Sequence, residues 1–257
     1  MKINSIAFIL VLLLSTTAFG QKVKYQINKD MELKIKSDNG NNGLAVVYNK
    51  KKKIYYTIYA GNKSYPLEVH DLSGTSVYQM RSDVDARGMW YDKKCNCLMG
   101  TVYGNAGSYE IELNADGMPV RTTENSKTYN FDGQGVAVAG KKYIYHMAAG
   151  GSLVKVHKKS GAVSQISIKD AYPKFYNLNV NGIVYTGIKG HEIGLVNATE
   201  KKLVLFNAKT GKMAANIQIN ADGADVSGHF RVSFANGRLF LYQGNTRSWY
   251  GYKVSNK

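Results

Sequence analysis

Cys95 and Cys97 stand one residue apart, the tightest pairing of reactive side chains in the sequence. On a strand, residues two apart face the same way with Cα atoms ~6.5–7 Å apart, the outer limit for a disulfide. The pair reads either as a strained local bridge or as two buried thiols, and an exported compartment favours oxidation. Two ligands alone do not make a zinc site. The five histidines, His70, His146, His157, His191 and His229, are dispersed, and none has the spacing of a metal-binding helix. The acids Asp83, Asp85, Asp132, Asp222 and Asp225 lie beside glycines in DVDARG, FDGQG and ADGADVSG. A glycosidase needs two carboxyls ~5–9.5 Å apart across the scissile bond, and acids in such surroundings suit turns equally well. No stretch gives the alternating acid loop of a calcium cage, and no P-loop, dinucleotide fingerprint or Ser-His-Asp motif appears. No cofactor, metal or catalytic residue is expected.

A second set of residues suits binding. Four short segments rhyme: Gly61-Asn62-Lys63-Ser64-Tyr65, Gly104-Asn105-Ala106-Gly107-Ser108-Tyr109, Gly150-Gly151-Ser152 and Gly244-Asn245-Thr246-Arg247-Ser248-Trp249. Glycine, asparagine and serine are turn residues, so duplication of one turn accounts for them. Aromatic faces beside hydrogen-bonding groups also hold a sugar or a peptide, and Tyr, Trp and Arg dominate protein hot spots. The expected binding residues are Asn62, Tyr65, Asn105, Tyr109, Arg247 and Trp249. His191 joins them from the segment IVYTGIKGHEIGLVNATEKK, which exceeds its siblings by about ten residues.

Positioning such a set requires a repeat. An alternating strand, a few polar residues, a glycine and a second strand recur in EVHDLSGTSVYQM, ELNADGMPVRTT, KVHKKSGAVSQISI and LFNAKTGKMAANIQI. Their glycines, Gly74, Gly117, Gly161 and Gly211, recur roughly every 43–50 residues, the period of a four-stranded propeller blade. Ahead of each lies another strand pair, as in VVYNKKKKIYYTIY, VAVAGKKYIYHM and VSFANGRLFLY. Each repeat therefore reads A–B–C–D. The last one, FRVSFANG, RLFLYQGN and SWYGYKVSNK, lacks a D strand, and the early segment VKYQINKDMELKIK is an orphan strand that supplies it. The expected fold is an all-β propeller of five four-stranded blades, six if the fourth repeat is really two. The N-terminal strand closes the ring and removes a sheet edge that would invite aggregation. If FYNLNV and IVYTGI are the A and B strands of the fourth repeat, its excess falls in the B–C connection, beside the rhyming segments.

The first twenty residues, MKIN followed by an apolar run to Leu14 and STTAFG, read as a signal peptide, which leaves residues 21–257 as a single domain. The apolar run is too short to cross a bilayer, so no membrane insertion is expected. Thirty-four Lys and Arg against eighteen Asp and Glu give a net charge of +16, enough to steer the chain toward an anionic partner. Export makes nucleic acid the least natural partner. The lysines are scattered or paired in turns (Lys50 to Lys53, Lys141 and Lys142, Lys201 and Lys202), which also suits a merely basic surface.

By its blade architecture the chain resembles small exported β-propellers of the TolB, NHL and YncE kind, without a family signature such as a closing Trp-Asp pair. The Gln21 start and the Tyr-, Asn- and Lys-rich composition resemble proteins of the Bacteroidota. That resemblance implies a periplasmic binding or scaffold module, with secretion as the alternative, a monomer on its own, which docks a protein partner in an envelope or outer-membrane complex; the plug of a type 9 secretion translocon is one such role. The other reading, from a different class, is a glycan-binding or glycoside-hydrolysing propeller.

Overall fold

The computed structural model describes residues 24–256 apart from 41, 106, 126–134, 149, 169, 171, 173, 221–225, 227 and 229. The expected signal peptide, Asp132, Asp222, Asp225 and His229 lie outside the described residues. Among those described, the first strand is β1 (Tyr25–Lys34). Blade 1 follows as β2 (Gly43–Asn49), β3 (Ile54–Tyr59), β4 (Pro66–His70) and β5 (Ser76–Arg81). Blade 2 is β6 (Ala86–Asp92), β7 (Cys97–Val102), β8 (Ser108–Leu113) and β9 (Pro119–Asn125). Blade 3 is β10 (Ala137–Ala139), β11 (Tyr143–Ala148), β12 (Ser152–His157) and β13 (Val163–Ser167). Blade 4 is β14 (Leu178–Tyr185), β15 (Ile193–Asn197), β16 (Lys202–Phe206) and β17 (Met213–Gln218). The fifth sheet holds β18 (Val232–Ala235), β19 (Arg238–Gln243) and β20 (Ser248–Asn256). Its order is β1-β20-β19-β18, so β1 is the outer strand of blade 5. The protein is a five-bladed β-propeller.

Burial falls outward from the axis, and the residue types follow it. The inner strand β2 (GLAVVYN) is buried at every position but Tyr48, and all six residues of β3 (IYYTIY) are buried. A strand packed on both faces needs a continuous apolar run rather than alternation. The outer strands β5, β9 and β13 (VSQIS) are largely exposed and correspondingly polar. Close packing between blades demands glycine at a few inner positions. A Cβ on Gly88 would meet the Ala137 carbonyl oxygen at 2.2 Å, and one on Gly43 would meet the Tyr242 ring at 2.5 Å.

Closure is built from several contacts. β1 pairs with β20 from Tyr25 opposite Asn256 to Lys34 opposite Ser248, with a bulge at Lys29/Met31. Arg238 grips Asp30 with two hydrogen bonds of 2.8 and 2.9 Å. Leu33 is fully buried among Phe240, Tyr242 and Trp249.

Blade 4 differs from the expected assignment. IVYTGI is not a B strand: β14 runs through Asn181 and Gly182 to Tyr185, and the B strand is β15. The Asn179 carboxamide donates to the Gly228 carbonyl (2.7 Å) and its oxygen accepts the Asn181 amide, which carries the strand across an irregular register. The extra residues, Thr186 to Glu192, therefore belong to the A–B connection, at the other end of the ring from the B–C turns.

Candidate functional site

The five inner strands enclose a channel cavity of about 360 Å³, lined mostly by Val, Ala, Leu, Ile and Gly. Each inner strand enters the channel at its D–A end and leaves at its A–B end, so the two mouths carry different loops.

At the B–C and D–A mouth, most of the expected binding residues hold the fold. Tyr109 is fully buried and its hydroxyl donates to the Gly88 carbonyl (2.8 Å). Its ring occupies the space a side chain at Gly100 would need, since a Cβ there would lie 2.4 Å from Cζ. Burial drives the Tyr109 pKa far above the usual phenol range. Trp249 is equally buried, 5.3 Å from the Tyr242 ring, because β20 turns it inward rather than toward a loop tip. Neither can present an aromatic face to a ligand. Arg247 donates to the carbonyls of Ser37 (3.0 Å), Asn39 (2.9 Å) and Gly40 (2.9 Å), clamping the crossover from β1 into blade 1. Asn62 is exposed, and its side-chain oxygen accepts the Ser64 amide (2.8 Å). Tyr65 is half-buried, edge-on to Tyr59. Asn105 ends the short 3-10 turn Tyr103–Asn105.

The candidate acids here are held by arginines. Asp83 pairs with Arg81, and Asp85 pairs with Arg87 while accepting the Gly61 amide (2.8 Å). Arg87, 8% exposed, lies over the rings of Tyr103 (4.5 Å) and Phe230 (5.5 Å). Nothing in DVDARG distinguishes Arg87, an inward arginine, from a turn residue.

His191 sits apart from the other expected residues, in the long A–B connection. Its Nδ1 lies 3.1 Å from the Tyr25 hydroxyl and its ring meets the Tyr25 ring edge-on at 5.7 Å. It thereby ties β1 to blade 4. The connection is internally bonded: the Thr186 amide donates to the Glu192 carbonyl (2.8 Å), and the Glu192 carboxylate accepts the amides of Gly190 (2.8 Å) and Ala208 (3.1 Å).

The other mouth concentrates charge. A cleft of about 590 Å³ between blades 2 and 3 is lined by Lys93, Lys94, Lys141, Lys142, Lys158 and Lys159, with Tyr91, Asp92, Gly140 and His157. These lysines come from three connections, β6–β7, β10–β11 and β12–β13. Tyr91 and Lys93 also line the channel cavity, so cleft and channel adjoin. Burial pushes the Lys158 ammonium below the ordinary lysine pKa; Asp92 opposes this and Lys94 adds to it. Its Nζ lies 5.8 Å from the Trp90 ring centroid, within cation–π reach. Tyr145 and Tyr185 stack at 5.7 Å and 12° nearby, and a Cβ on Gly140 would strike Tyr185 at 2.6 Å. Six ammonium groups around one concavity with a single carboxylate make a site for anions.

Cys95 and Cys97 are bridged, with Cα atoms 5.2 Å apart. The distance is shorter than two strand residues allow because Cys95 lies in the β6–β7 turn and Asn96 adopts a positive φ of 52°. Among the described residues, the one group of three close enough to hold a metal is Cys95, Cys97 and Glu110, and the bridge occupies both sulfurs.

Fold and site together define a five-bladed propeller with a basic cleft at one channel mouth. Neither a protein-family model nor a curated protein sequence matches the chain. Solved structures do. Glutaminyl cyclase from Myxococcus xanthus is similar at 13% identity and a TM-score of 0.59, over 92% of this chain and 100% of that one. BamB from Moraxella catarrhalis is similar at 8% identity and a TM-score of 0.41, over 88% and 97%. A chain of a nidogen/laminin complex is similar at 12% identity and 0.47, over 82% and 84%. At these identities the likeness is one of fold.

Proposed function

We propose that the protein is an exported binding scaffold that docks an acidic surface of a protein partner in the cell envelope, periplasmic by its leader and non-enzymatic in its channel. The observation that carries this reading is the lysine cleft between blades 2 and 3, continuous with the channel mouth. A lysine presents a mobile point charge rather than a planar fork, which suits an extended anionic surface better than one oriented small substrate. The carboxylates Asp83 and Asp85 are each occupied by an arginine, which weighs against the glycoside-hydrolase alternative. A subunit role in an outer-membrane secretion assembly is a narrower form of the same proposal.

Affinity capture from envelope extracts tests it. Wild-type protein should retain one stoichiometric acidic partner at low salt and release it at high salt. Lys94→Glu with Lys142→Glu should abolish retention. Lys63→Glu with Lys174→Glu, exposed residues of a B–C and a D–A connection carrying the same change in net charge, should leave it intact. Equal loss in both pairs would reduce the effect to net charge, and retention on a neutral polysaccharide column instead would favour the glycan reading.

A further inference from the structure

The Cys95–Cys97 bridge does little for the fold. A disulfide stabilises chiefly by closing a loop in the unfolded chain, and the effect grows with loop length. One intervening residue is almost the shortest loop available, and the β6–β7 ladder already holds its ends, with Cys97 opposite Asp92. The turn is fixed without it: the Lys94 amide donates to the Asp92 carboxylate (2.9 Å) and the Tyr91 hydroxyl to the Asn96 side-chain oxygen (2.8 Å).

Its two sulfurs are unequal. Cys95 is exposed in the turn, whereas Cys97 is 2% exposed and paired on both sides, with Asp92 and with Glu112. Lys93 and Lys94 immediately precede Cys95 and line the basic cleft. Positive charge beside the exposed sulfur draws in an anionic thiolate and stabilises the Cys95 thiolate that is released in the second exchange. The Glu110 carboxylate lies within 4.8 Å of both sulfurs, where it can accept the proton of an incoming thiol.

We propose that Cys95–Cys97 is a redox-active disulfide that oxidises dithiols of exported proteins by thiol–disulfide exchange, an activity separate from the docking reading. A substrate thiolate attacks the exposed Cys95 sulfur. The substrate–Cys95 bond forms as the Cys95–Cys97 bond breaks, and Cys97 leaves as a thiolate. A second substrate thiolate then attacks the substrate sulfur of the mixed disulfide and releases Cys95. The substrate gains a disulfide, this protein gains two electrons and, at neutral pH, two protons, and exchange with a more oxidising disulfide restores the bridge.

Reduced glutathione serves as the probe. The native protein should react at least about tenfold faster than the same chain unfolded in urea, because folding gathers four further lysines into the cleft that Lys93 and Lys94 line next to Cys95. Alkylation quenching and peptide mass mapping should find glutathione on Cys95 and the alkyl group on Cys97. Lys93→Glu with Lys94→Glu should slow the native reaction about tenfold, and the reaction of the unfolded chain by less. Cys95→Ser with Cys97→Ser should melt within about 3 °C of wild type. A native reaction slower than the unfolded one, glutathione found chiefly on Cys97, an unaltered rate in the lysine variant or a large fall in melting temperature would each overturn the proposal.

Discussion

Two buried side chains set expectations at the scale of single residues. His70 is fully buried on β4, with Nε2 3.1 Å from the Thr57 hydroxyl and Nδ1 3.3 Å from the Gly74 carbonyl. Burial lowers its pKa below the ordinary 6.5, against the opposing pull of the Glu68 carboxylate. A base whose folded pKa is depressed binds its proton more readily when unfolded, so its contribution is complete above pH 6.5 and is lost as pH falls below it. Chemical denaturation between pH 7 and 5 should therefore show falling stability, and His70→Gln should flatten that slope while lowering stability at pH 7. Trp249 belongs to the same scale. Removing a fully buried indole beside Tyr242 should cost about 3–5 kcal/mol of stability. A urea titration of Trp249→Ala with an unshifted midpoint would contradict the burial of that ring.

At the scale of the element, the closing strand is the sensitive one. β1 covers β20 along nearly its whole length, buries Leu33 and supplies Asp30 to Arg238. Deleting Tyr25 to Lys34 exposes the β20 edge and removes part of the core at the junction of blades 5 and 1. The expected outcome is loss of a cooperative melting transition and concentration-dependent aggregation, read by calorimetry and light scattering. Supplying the strand as a separate peptide should restore some cooperativity, since the register is set by side-chain alternation along β20. The A–B connection of blade 4 reaches the same strand through His191 and Tyr25. Its length, which resembles a binding excursion in the sequence, serves at least to lock β1 in place.

Across the whole molecule, the distribution of charge matters more than its sum. The net +16 is partly gathered into one cleft by the meeting of two neighbouring blades. Binding of an acidic partner should weaken steeply with salt, and the Lys94→Glu, Lys142→Glu variant should fail to bind it even at low salt. It should also weaken as pH rises, because burial depresses the pKa of Lys158 and its charge is lost below the ordinary lysine value of 10.5. Isothermal titration with a poly-glutamate peptide across that range checks both, and Lys158→Arg, which keeps the charge, should remove the early part of the pH effect.

Local pattern determined the blades. Alternating apolar strands, a turn glycine at a regular period and an orphan first strand are all short-range signals, and each survives folding because strand pairing here is between neighbours in sequence, the β1–β20 closure excepted. Orientation was less legible. Trp249 and Tyr109 read as loop-tip aromatics because both follow turn residues, but whether a residue at a strand's first positions points into the next blade depends on the twist and stagger of two sheets. The place of His191 is illegible for a related reason: Asn181 and Gly182 look like a turn, yet the Asn179 bond to Gly228, in the connection between the neighbouring blades 4 and 5, keeps the chain in one strand. Lys93, Lys94, Lys141, Lys142, Lys158 and Lys159 are three unremarkable pairs in sequence, and only the packing of blade 3 against blade 2 brings them around one cleft. Periodicity fixes which elements form, because a strand is decided by its own residues and its neighbour. The site is decided by contacts between elements distant in sequence, whose geometry no local pattern encodes.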